Sequence, residues 1–76
     1  MKLYTIYDKL AEEAGPIFEC KNDRVAWSSI LDIVKKDPSR YDLMRLGYFS
    51  HDPVALTTEA SPQVVFYDGT LYQEDN

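Results

Sequence analysis

Asn22-Asp23-Arg24-Val25-Ala26-Trp27-Ser28-Ser29-Ile30-Leu31-Asp32-Ile33-Val34-Lys35-Lys36-Asp37-Pro38 is the stretch on which the fold turns. It opens on two good N-capping residues, carries apolar side chains at helical spacing, and closes before a proline that pushes the preceding residue out of the α region. The spacing predicts a helix over 23–36. At about 100° per residue, Ala26, Trp27, Ile30, Leu31, Ile33 and Val34 fill an arc of roughly 160°, wider than the ~100° stripe of a helix covered on one side. Ala26, Ile30, Ile33 and Val34 are assigned to a sheet. Trp27 and Leu31, at the margin of the arc, are assigned to a second surface, expected to be an oligomer interface.

Upstream, Lys2-Leu3-Tyr4-Thr5-Ile6-Tyr7 alternates and is rich in β-formers, so residues 2–7 read as a strand. Residues 8–15 form a connector closed by Gly15-Pro16, and 16–21 a second short strand. Downstream, residues 41–49 read as a third strand, with Gly47 marking a bulge or a close backbone approach. His51 to Pro62, with Asp52-Pro53 and Ser61-Pro62, reads as a twelve-residue loop. Residues 63–67 form a fourth strand, Asp68-Gly69 a turn into 70–72, and 73–76 a frayed tail. The predicted fold is α+β in ββαββ order: a small, mainly antiparallel sheet with one helix packed on one face.

At 76 residues and 8.8 kDa the chain makes one domain, 1–76, too small for a multidomain enzyme. A domain of this size buries only about 60% of its unfolded surface, so its margin is thin. Cys20 is the only cysteine, which rules out an internal disulfide and a multi-cysteine zinc site. With ten aromatics to bury and no covalent staple, a symmetric homodimer is expected. No apolar run approaches the ~20 residues of a bilayer span, and Met1-Lys2-Leu3-Tyr4-Thr5 is not the start of a signal peptide, so no membrane role and no export are expected.

Charge is distributed unevenly. Residues 1–20 carry two lysines against four carboxylates, 21–45 six cations against four carboxylates, and 46–76 five carboxylates with no Lys or Arg. The net charge of −5 disfavours tight, sequence-independent nucleic-acid binding by a monomer. The basic middle segment supplies the candidates for a local patch: Lys21, Arg24, Arg40 and Arg45 for phosphate, with Tyr41 and Tyr48 for base stacking. Lys35 and Lys36, in the last helical turn, are read as offsetting the helix dipole.

Catalytic signals are weak. His51-Asp52 is the only candidate general-base pair, and neighbours in a loop rarely face each other. Cys20, His51 and Asp52 are the only set from which a zinc site could be drawn, and they lack ligand spacing. Glu12 and Glu13 are read as solvent charges. No P-loop, dinucleotide glycine motif or nucleophile elbow is present. No enzyme, no metal and no cofactor are expected, and Cys20 is read as a small buried hydrophobe.

The linear arrangement carries a resemblance. A Tyr-rich opening strand ending in Asp8, Gly15-Pro16-Ile17-Phe18, then Lys21-Asn22-Asp23 with Val25-Ala26, and Tyr41-Asp42-Leu43 with Leu46-Gly47 and Phe49 resemble the small non-structural protein of gokushoviruses, microviruses (Microviridae) with circular single-stranded DNA genomes. The likeness covers about residues 3–52 and departs from the family pattern at Trp27 and at Ser50-His51. It implies a non-enzymatic bacteriophage protein made in the host bacterial cytoplasm, acting in DNA replication or DNA packaging. The implied partners are single-stranded DNA, a phage replication protein or the procapsid. The alternative is an acidic protein-interaction module that does not contact DNA, its C-terminal third binding a basic surface.

Overall fold

A computed structural model describes residues 1–67, 70 and 71. The opening strand, β1 (Lys2–Asp8), is followed by a two-residue β2 (Glu13–Ala14) and a three-residue β3 (Phe18–Cys20). Both return antiparallel along the same edge of β1: β2 beside Tyr7 and Asp8, β3 beside Lys2 to Tyr4. The Asp8 carboxylate accepts from the Leu10 and Ala11 amides and so closes the turn between β1 and β2. Of the expected second strand over 16–21 only Phe18–Cys20 is strand, while β2 falls in the stretch expected to be a connector, and Pro16, which cannot donate to a ladder, lies between the two.

The helix, α1 (Asp23–Val34), begins where the sequence indicates, with the Asn22 side chain accepting from the Val25 amide at 3.0 Å. It ends two residues earlier than expected, and a 3-10 turn over Pro38–Arg40 leads into β4 (Tyr41–His51). Then comes β5 (Val54–Tyr67), joined to β4 by the tight turn at Asp52-Pro53, and a short β6 (Thr70–Leu71). All pairings are antiparallel, in the order β2-β1-β4-β5-β6, with β3 also on β1.

This corrects the predicted α+β layout in ββαββ order. The chain is mostly β, a curled antiparallel sheet of six strands with one short helix inserted between β3 and β4. The error lies chiefly in residues 51–62, expected to be a loop because of its two prolines. Pro53 occupies the turn, and Pro62 falls inside a bulge: Arg45 pairs with Gln63 and Gly47 with Thr58, so residues 59–62 stand opposite Leu46 alone. Gly47 makes the close approach its sequence suggests. A Cβ there would run into the Thr57 carbonyl oxygen and lie 2.9 Å from the Thr58 Cα.

The helix meets the sheet along a narrow line. Ala26, Ile30 and Val34 are buried with Tyr4, Cys20, Leu43 and Val65, and Ile6, Phe18, Trp27 and Tyr41 pack around them. Ile33, assigned to the sheet from the arc, is exposed, as are Val25 and Leu31. Trp27 is half-buried against the core, which withdraws it from the expected interface, whereas Leu31 stays outside. The wide apolar arc therefore overstated the covered surface. Among the described residues, no helix is long and apolar enough to cross a membrane. The expected turn at Asp68-Gly69, Tyr72 and the tail at 73–76 lie outside the described residues.

Candidate nucleic-acid interface

The start of α1 is fastened from below by charge. Asp23, in the first helical turn, is only 2% exposed. Its two carboxylate oxygens are both engaged: the Tyr4 hydroxyl donates to Oδ1 at 2.5 Å and Arg45 Nη1 to Oδ2 at 2.9 Å. Arg45 Nε donates in turn to Glu59 Oε1 at 2.5 Å, so one guanidinium ties α1, β4 and the bulged part of β5 together. Burial works against the Arg45 charge, but the Glu59 hydrogen bond and the Asp23 and Glu59 carboxylates outweigh it and raise its pKa. Arg45, expected at phosphate, is an internal residue.

Arg40 is committed as well. Its Nε and Nη2 donate to the two oxygens of Asp8 at 2.9 and 2.7 Å, a bidentate fork of the kind guanidinium favours. The Arg40 hydrogen bonds hold the Asp8 carboxyl down to about 2. The same guanidinium lies over the Tyr41 ring, 5.3 Å from its centroid, and Tyr41 packs on the core. With Lys9 N–H donating to the Arg40 carbonyl at 2.8 Å, this cluster clamps the end of β1 to the start of β4. Tyr41 and Arg40 therefore hold the fold rather than present a stacking surface.

Lys21, Arg24 and Tyr48 remain outside. Lys21 and Arg24 bracket the Asn22 cap, are exposed, and make no ion pair among the described residues. Tyr48 is 44% exposed. Strand register connects them: Lys2 stands opposite Tyr48 on one side and Cys20 on the other, and Lys21 follows Cys20. Lys2 shares its face of β1 with Tyr4, whose hydroxyl reaches α1, so this row lies on the helix side of the sheet. Tyr48 also lines an open cleft of about 390 Å³ with Met1, Phe49, His51 and Thr57, within the ~300–1,000 Å³ of small-molecule sites.

The other face at this end is acidic. Glu19 stands opposite Leu3, and its carboxylate lies 2.9 Å from His51 Nε2. His51 thus finds Glu19, 32 residues away, and not its neighbour Asp52. Glu12 and Glu13 are exposed, as expected of solvent charges, and Lys35 pairs with Asp32 at 3.2 Å at the other end of α1. Cys20 is buried with its Sγ 4.0 Å from the Ser29 hydroxyl, and no metal-holding cluster of His, Cys, Asp or Glu occurs among the described residues.

The sequence pattern of the Phage ORF5 protein family matches residues 1–70, nearly the whole chain. The chain belongs to the Phage ORF5 protein family. It is a phage protein, and the matched span takes in β1 to β5, the helix and the first residue of β6. No curated protein and no solved structure matches it.

Proposed function

We propose that this Phage ORF5 chain is a non-enzymatic regulatory protein of a single-stranded DNA phage of the gokushovirus kind, made in the host cytoplasm. It acts in genome replication or packaging through weak contacts with single-stranded DNA inside a complex with a replication protein or procapsid. The observation that carries this reading is the row of Tyr48 and Lys2 across the sheet with Lys21 and Arg24 beside it. An exposed ring next to cations is the pairing single strands require, bases stacking on the ring while the cations track the backbone. The acidic remainder of the surface keeps such binding weak and leaves a protein partner to supply the rest.

Fluorescence anisotropy with a labelled single-stranded oligonucleotide at low ionic strength tests it. The native chain is expected to bind with marked salt dependence. Lys21→Ala with Arg24→Ala should lower the log–log salt slope by about 1.4, since each phosphate contact on a single strand contributes about 0.7. Tyr48→Ala should weaken binding without altering that slope. No binding, or an unchanged slope in the double variant, overturns the reading.

A second reading, the acidic interaction module, has its own observation. Arg40 and Arg45 are spent on internal carboxylates, while Glu12, Glu13 and Glu19 lie exposed along β2, β3 and the turn before them. Pull-down from infected cells separates the two. A nuclease-resistant partner lost in Glu12→Lys with Glu13→Lys and Glu19→Lys, from a chain that binds no single-stranded DNA, favours the module, and single-stranded DNA binding lost in Lys21→Ala with Arg24→Ala favours the DNA contact.

A further inference from the structure

In the sheet order, β1 is paired on both sides, but the outer edge of β5 meets β6 only at Phe66 and Tyr67. From Val54 to Thr58 that edge has no neighbour among the described residues. Natural sheets blunt open edges with lysines, inward charges or prolines. This edge carries none of these between Pro53 and Pro62: Val54-Ala55-Leu56-Thr57-Thr58 is uncharged, and the one carboxylate that follows, Glu59, is held by Arg45. Val54 and Leu56 are 78% and 62% exposed. The opposite side of the sheet is different, because β2 and β3 bring Glu13 and Glu19 to the edge.

We infer that the outer edge of β5 over Val54–Thr58 is the dimer interface of this chain, its occupant the same segment of a second copy, antiparallel about a two-fold axis. The second copy is the occupant because the segment is complementary to itself. An antiparallel pair of identical edges satisfies the outward N–H and C=O groups of both chains by symmetry. For any register centred between Leu56 and Thr58, the two Glu59 carboxylates fall opposite other residues, so no like charges meet. Pro53 and Pro62 bracket the segment and end the ladder on both sides. At ~3.4 Å per residue the five residues give a contact of roughly 17 Å. The two curled sheets then become one, and the exposed Leu56 and Val54 of each copy gain apolar neighbours. This interface replaces the one expected at Trp27 and Leu31. It is independent of the DNA reading.

Sedimentation or light scattering of the full chain without nucleic acid tests it. The native protein is expected at twice 8.8 kDa at high micromolar concentration, dissociating on dilution. Val54→Lys with Leu56→Lys should give a single 8.8 kDa species at the same concentration. Both side chains are exposed, so its circular dichroism and Tm should match those of the dissociated native chain. Hydrogen exchange should show alternate amides of Val54–Thr58 protected in the native dimer and unprotected in the variant. A native monomer at all concentrations overturns the inference, as does a dimer that survives the double substitution but is lost in Leu31→Lys.

Discussion

Asp23 is held almost out of water by a hydroxyl and a guanidinium that come from residues 19 and 22 positions away. Removing the guanidinium strips a buried carboxylate of its Arg45 ion pair, which costs more than the pair ever contributes. Because Arg45 keeps 19% exposure, the loss in Arg45→Met is set at the low end of the range for a broken buried pair, about 3 kcal/mol, to be read from urea denaturation. Asp23→Asn with Arg45→Met should cost clearly less than the sum of the two single changes, as coupled neighbours do. Asp8 makes a pH-dependent contribution. Its pKa in the folded chain is about 2, below the ~3.9 of an unfolded Asp. Its stabilisation is therefore complete above about pH 4 and fades as pH falls toward 2. In Arg40→Gln the Asp8 carboxyl, followed by NMR titration, should rise toward the ordinary value. The variant's Tm should also fall less than the native Tm between those pH values. Neither cluster could be read in the sequence. Asp23 looked like a cap and Arg45 like a surface cation, because nothing local announces a partner on another strand.

At the scale of elements, what was legible followed from local chemistry and what was missed did not. The start of α1 is written in Asn22, whose side chain has a geometric duty within three residues, and β1 in its unbroken alternation. The far half of β5 was hidden by prolines. Pro62 sits where the ladder is already interrupted, and its cost in the strand is removed by a bulge that only the pairing with β4 reveals. Of the phosphate and stacking candidates named by residue type, Lys21, Arg24 and Tyr48 lie exposed. Lys2, their neighbour across the strands, was missed because register is a long-range property. Gly47 was identified correctly, and its environment allows a firm expectation. A methyl group there meets the backbone at Thr57 and Thr58, which cannot yield as a flexible side chain would. Gly47→Ala should destabilise by about 1–3 kcal/mol through strain between β4 and β5. Ser50→Ala, a few residues along the same strand and exposed, should be near neutral in the same urea measurement.

The molecule as a whole is lopsided. Its core of Tyr4, Cys20, Ala26, Ile30, Val34, Leu43 and Val65 sits at one end, while residues 50–58 of the β4–β5 hairpin are all exposed. The principal extents, 39 × 25 × 22 Å, and a radius of gyration of 12.3 Å reflect that arm; a compact chain of this length is expected near 11 Å. An arm that buries so little is held by its own ladder and by the His51–Glu19 contact, and a contact between exposed side chains contributes at most about 1 kcal/mol. It should open locally, without unfolding of the core. Hydrogen exchange in dilute, monomeric protein tests this through the Arg45→Met variant. Core amides such as that of Leu43 exchange by global unfolding, so a loss of about 3 kcal/mol should speed them by somewhat more than a hundredfold. Amides of Ser50 to Leu56, opening on their own, should keep their native rates. If they accelerate with the core, the arm belongs to one cooperative unit, and its extension from the body reflects shape without independence.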